Sequence, residues 1–201
     1  GNELRITPTT PLLTQARGRI DFAQKSVQLR GGQARALGGD ISIEGASHPD
    51  GSLRFSAQGQ VSAEGLRGAP ELGLTQRLAQ QMSGQTPMRL ELAVLKQQTE
   101  LSISSSLQGL ALDLPAPLRK PADDSLPLRI AVRALPAPNG TPREELRLEL
   151  GTLLQAQYQR ELPEGAEPRV LRGALALLDK LPDLPAQGVI ARAQLGTLNL
   201  D

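Results

Sequence analysis

Apolar and polar residues alternate with a period of two along much of this chain, and that spacing restricts each such run to a β-strand with one apolar and one polar face. Ile41 and Ile43 alternate with Asp40, Ser42 and Glu44, and Leu53, Phe55, Ala57 and Val61 alternate with Arg54, Ser56, Gln58 and Gln60. Leu90, Leu92 and Val94 are set against Arg89 and Glu91; Leu101, Ile103 and Leu107 against Ser102, Ser104, Ser106 and Gln108. Leu126, Leu128, Ile130 and Val132 alternate with Pro127, Arg129 and Arg133, and Leu146, Leu148 and Leu150 with Arg147 and Glu149.

Turn chemistry separates the runs. In His48-Pro49-Asp50-Gly51 the proline pre-sets φ and Asp-Gly tolerates positive φ, and Pro138-Asn139-Gly140 offers a second turn of this kind. Gly31-Gly32 and Gly38-Gly39 bracket the short segment 33–37. Consecutive strands joined by tight turns form an antiparallel meander. Two stretches depart from the pattern. Glu71 to Met82 carries Leu74, Leu78 and Met82 at four-residue spacing with Gly84 beyond, which predicts one short helix. Residues 169–181 fit either period; Gly173 weakens a helix by about 1 kcal/mol relative to alanine and favours a strand. Residues 115–127, with four prolines, read as a rim loop. Strand blocks recur without a fixed period, so a regular solenoid is not supported. The whole is one elongated unit over residues 1–201.

Composition narrows the chemistry. There is no cysteine and a single histidine, His48, which excludes disulfides, thiolate sites and any two-histidine centre within the chain. Phe22, Phe55 and Tyr158 are the only aromatics, too few for base stacking. The 22 basic and 21 acidic residues balance, which gives no electrostatic case for nucleic acid or an anionic membrane surface. No run approaches the roughly 18 apolar residues of a membrane span. The start at Gly1-Asn2 reads as that of an excised piece, with any targeting segment outside it.

The residues that could carry chemistry have plainer readings. His48 reads as a solvent-facing turn residue, and Asp123-Asp124 as solvated carboxylates, since calcium needs more oxygen ligands than two. Arg30-Gly31-Gly32 reads as a turn rather than an RNA-binding repeat. Ser104-Ser105-Ser106 lacks a lysine, histidine or G-x-S-x-G setting and reads as a polar strand face. Arg119 and Lys120 read as ordinary surface cations, with headgroup attraction as the alternative. No catalytic residue, metal site or cofactor is expected, and the chain is not read as an enzyme.

From Leu37-Gly38-Gly39-Asp40-Ile41-Ser42-Ile43-Glu44-Gly45 onward the sequence resembles the AsmA-like bacterial envelope proteins of the YhdP type. The stronger likeness is Leu101 to Ile130, where a strand is followed by S-x-L-x-G-L, LP-x-PL-x-K-P and an LPL strand. Gln85-Thr86-Pro87, Gln157-Tyr158 and the stretch from Arg172-Gly173 to Gly188-Val189 fit the same layout. The resemblance covers roughly residues 15–201.

The resemblance implies a mainly β fold: a curved antiparallel sheet of the β-taco or repeating β-groove kind, with an apolar inside, as in TamB-related proteins. It also implies a section of a long periplasmic protein attached to the inner membrane through a segment absent from this chain, moving phospholipid toward the outer membrane. Its partners would be phospholipid acyl chains, the membrane anchor, neighbouring groove segments of the same chain and outer-membrane components. The expected groove lining is Ile41, Ile43, Leu53, Phe55, Val61, Leu90, Leu92, Val94, Leu101, Ile103, Leu128, Ile130, Val132, Leu146, Leu148 and Leu150. The alternative is a structural or adhesive β-module with a filled core and no ligand; periodicity alone favours simple core packing.

Overall fold

The structure, a computed structural model, describes residues 2–5, 10–24, 26–96, 98–166 and 168–194. They form one large, open, curved sheet of 13 strands. In chain order these are β1 (Glu3–Leu4), β2 (Leu13–Ala23), β3 (Ser26–Ala36), β4 (Gly39–Ser47), β5 (Leu53–Ser62), β6 (Met82–Leu95) and β7 (Gln98–Ser105). They continue with β8 (Leu110–Leu112), β9 (Leu128–Leu135), β10 (Arg143–Leu150), β11 (Leu154–Glu161), β12 (Arg169–Leu177) and β13 (Gly188–Ala193). Spatial order follows chain order, except that β8 leaves the path to pair with the start of β6, so β7 lies beside β9. Every pairing is antiparallel save β12 with β13, which run parallel. The mainly β, antiparallel architecture expected from the alternation is therefore the one observed, and residues 169–177 take the strand alternative.

Local chemistry explains the turns. At the β4–β5 hairpin Gly51 has φ +80°, and the His48 carbonyl accepts from the Gly51 amide at 2.9 Å. The Asp50 carboxylate accepts from the Ser52 amide at 2.8 Å and from its hydroxyl at 2.6 Å. Those bonds hold the Asp50 carboxyl below its ordinary value, with a smaller contribution from the Arg54 charge. His48 is exposed, as expected of a turn residue.

Arg30-Gly31-Gly32 is not a turn between strands. It lies inside β3, where the pairing to β4 skips from Leu29 to Gly32. Gly31, at φ +56°, takes the left-handed conformation of a β-bulge, which keeps one strand continuous through a register shift.

The short helix expected within residues 71–82 is present, but a further helical piece precedes it and its packing differs from expectation. The preceding piece is α1 (Ala63–Arg67), N-capped by the Ser62 hydroxyl, which accepts from the Gly65 amide at 3.0 Å. A 3-10 turn (Pro70–Leu72) precedes Gly73, then α2 (Leu74–Leu78) runs into a second 3-10 turn (Ala79–Gln81), and Met82 already belongs to β6. The stripe Leu74–Leu78 does not face a core: Leu74 is 70% and Leu78 39% exposed. Leu66 and Ala79 make the contact instead, packing on Val61 with Met82 and Met88 at its margin.

Candidate functional site

In antiparallel pairs, residues directly opposite share a face, so the register assigns every strand residue to one of two surfaces. One row reads Ile43, Ala57, Leu90, Ile103, Ile130, Leu148, Ala156 and Leu175 from β4 to β12. A second reads Gly45, Phe55, Leu92, Leu101, Val132, Leu146, Tyr158 and Gly173. Ile41, Leu53, Val61, Val94, Leu128 and Leu150 complete the same face. All the residues expected to line a groove thus lie together on one side of the sheet. Across the eight adjacent strands the apolar strip is about 34 Å long at the usual spacing between strands.

Among the described residues this face is covered along one flank. Residues 63–81 and the loop 106–127 fold over the strand ends there. Leu107, Leu110 and Leu112 bury themselves with Ala63 against Met82, Leu126, Leu128 and Leu150. Backbone bonds fasten this wall: Gly109 N to Ala122 O at 2.7 Å, Asp113 N to Gln81 O at 2.7 Å, and reciprocal bonds between Leu112 and Lys120. Away from the wall, Ile43, Phe55, Leu90, Ile103, Ile130 and Leu148 stay half-buried, shielded by their neighbours in the sheet but belonging to no buried cluster.

Lys120 corrects the expectation of a surface cation. It is 4% exposed, and its ammonium donates to the Pro121 carbonyl at 2.7 Å and the Asp124 carbonyl at 2.8 Å, closing the wall loop on itself. Burial pushes its pKa down, against the opposing charges of Asp124 and Asp123. Arg119 does stay exposed, 3.5 Å from Asp113. The three serines divide between the faces: Ser104 is exposed opposite Arg89, whereas the Ser105 hydroxyl donates to Pro87 O at 2.7 Å and accepts from the Leu107 amide at 3.0 Å. Among the described residues no group of three or more histidine, aspartate or glutamate side chains could hold a metal ion.

The other face is polar. Two cavities, of about 940 and 580 Å³, open on the polar side, not on the apolar face where a concavity was expected. The larger has a floor of short side chains, Ala46, Ser56, Ala93 and Ser102, within a rim of long ones such as Arg30, Glu44, Arg54, Glu91 and Arg133. Side-chain length supplies that hollow.

Carboxylates on the polar face are sunk beneath guanidinium groups. Glu145 accepts from Gln157 at 2.9 Å, Gln159 at 3.0 Å and Arg147 at 3.1 Å, with Arg133 at 3.3 Å. Burial raises its pKa, but those hydrogen bonds and the two arginine charges outweigh it and hold the carboxyl below its ordinary value. Glu161 bridges Arg143 and Arg169 across three strands, and their hydrogen bonds lower its pKa as well. This network escaped the sequence reading because its members lie on four separate strands, β9 to β12, and only the register joins them.

A broad, curved antiparallel sheet with one apolar and one polar face, on which no metal-holding cluster is assembled among the described residues, defines a surface-presenting β-module. The chain belongs to the YhdP protein family, whose model matches residues 1–201. That is a bacterial envelope family and not a known enzyme family. No curated protein and no solved structure matches the chain. Among the described residues no helix is long and apolar enough to cross a membrane.

Proposed function

We propose that this chain is a section of a periplasmic lipid conduit, held at the inner membrane by a segment outside it, in which phospholipid acyl chains lie along the apolar face on their way to the outer membrane. The observation that carries the reading is the strip from Ile43 on β4 to Leu175 on β12, continuous in register and, among the described residues, outside the buried clusters of the wall. A contiguous apolar surface of this extent marks an interaction site in a soluble module. Each methylene buried there contributes about 0.8 kcal/mol, so two acyl chains bind without polar recognition. A lining without directional bonds lets them slide along the rows. The distribution of burial speaks against the filled-core alternative, because the buried clusters are confined to the wall.

The test is native mass spectrometry of the purified chain, followed by lipid extraction. Co-purifying phospholipid, displaced by added fatty acid, is the expected result. A protein that stays lipid-free when refolded with phospholipid would overturn the proposal.

A further inference from the structure

The near-neutral composition conceals a segregation of charge. On β9 to β13 the register places Arg129, Arg133, Arg143, Arg147, Arg169, Arg172 and Arg192 on the polar side with only Glu145, Glu149 and Glu161. That is an excess of four positive charges on one half-face, in a chain whose formal net charge is +1. Depth sharpens the contrast. The side chains of Arg133, Arg147 and Arg169 are 57%, 58% and 71% exposed, whereas those of Glu145 and Glu161 are 7% and 11% exposed. Arg129 and Arg192 are exposed too, and Glu149 is the one exposed carboxylate among these ten. A partner approaching this surface meets guanidinium groups first.

We propose that this arginine-rich half-face docks on the surface of an anionic phospholipid bilayer. Four strand spacings separate β9 from β13, so the charges spread over about 19 Å, wider than a single small anion. The apolar side chains among them are mostly short (Ala131, Ala174 and Ala176), with Leu135 at the end of β9 and Ile190 at the edge. The patch therefore lacks the large aromatic anchors on which specific protein interfaces depend. Guanidinium groups pair with phosphate oxygens in a forked geometry, and each basic residue near an anionic bilayer strengthens binding about fivefold. This inference rests on the polar face and stands whether or not the apolar face carries lipid.

The experiment is co-sedimentation of the 201-residue chain with vesicles of phosphatidylglycerol and phosphatidylethanolamine, and in parallel with vesicles of phosphatidylcholine alone. Binding to the anionic vesicles, weakened by 0.5 M salt and absent from phosphatidylcholine, is expected (roughly 3 Å of screening length remains near 1 M salt). Replacing Arg129→Gln and Arg192→Gln together, at two exposed positions outside the Glu145 and Glu161 networks, should weaken binding at least tenfold with an unchanged melting transition. The pair Arg35→Gln and Arg89→Gln on the other half of the polar face should leave it near wild type. Equal binding to both vesicle types, insensitivity to salt, or equal loss in both variants would overturn the proposal. So would binding to soluble polyglutamate with none to vesicles, which would assign the patch to an acidic macromolecule. If the first pair fails to fold, the salt and lipid dependence of the wild type decides.

Discussion

The Tyr158 ring occupies the space that a side chain at Gly173 would need. The two residues are direct cross-strand partners on β11 and β12, and a β-carbon at Gly173 would sit 2.6 Å from Tyr158 Cε1. The same relationship recurs across the sheet, where Phe55 leans over its partner Gly45. Each aromatic shields a backbone that would otherwise be bare, and each glycine is the only residue that leaves room.

Gly173→Ala should therefore destabilise the protein by about 1–3 kcal/mol, because the ring must leave its rotamer or the strands must part. Urea unfolding of Gly173→Ala, Tyr158→Ala and the double variant measures this. The double variant should lose less than the sum of the singles, as coupled neighbours do; additive losses would mean that the ring does not depend on the glycine.

Ile130 and Leu110 distinguish an open face from a sealed one. Ile130 lies half-buried between Ile103 and Leu148, whereas Leu110 is 2% exposed within the wall. Ile130→Arg should fold with a modest loss, its charge reaching water along the open side, and should carry less lipid. Leu110→Arg buries an unpaired charge at a cost of several kcal/mol, comparable to the stability of a domain, and should yield aggregated protein. Melting curves and extracted lipid report both; equal collapse of the two variants would place Ile130 in a closed core.

Lys120→Met should loosen the wall before it affects the sheet. It leaves the Pro121 and Asp124 carbonyls without their donor, and such a loss costs about 1–3 kcal/mol. Hydrogen exchange should rise at Gly109 and Leu112, whose amides bond within the loop, while the amides of β10 and β11 stay protected.

Glu145 gives the fold a pH dependence of known sign. Its carboxyl is held below its ordinary value in the folded state. Its contribution is therefore complete above the unfolded value, about 4.3, and is lost as pH falls through the lower folded value. Glu145→Gln should be less stable at pH 7 and should show a flatter loss below about pH 4.3 than the parent. Chemical denaturation at several pH values tests this; parallel profiles would show that the carboxylate is not the group responsible.

The strands with dense Leu and Ile at every second position were legible in the sequence, since that spacing has no other regular solution. β1, β2, β3, β8, β11 and β13 were not read as strands; in β11, Ala156 stands between Leu154 and Tyr158, and the contrast with Gln155 and Gln157 is weak. The helical stripe misled for the opposite reason. Leu74 and Leu78 have the right spacing but follow Gly73, whose φ of +53° and ψ of −110° turn the chain so that Ala79 takes the buried position. The depth of Lys120 had no local signal, since it depends on how the loop 115–127 folds back on Leu112. The common face of the proposed lining was readable from parity, whereas the arginine excess over β9–β13 required knowing which strands are neighbours.

Spatial order that follows chain order has a consequence for how the molecule is assembled. Each strand finds its template in the one laid down just before it, so most loop closures are short and the ordering entropy is met in small instalments. The exceptions are β8, which returns to β6, and β9, which must wait for that detour before it can join β7. The slowest step in forming the sheet is therefore expected at this junction, and a sheet halted there would end at β7 with the β9–β12 arginines not yet brought into line.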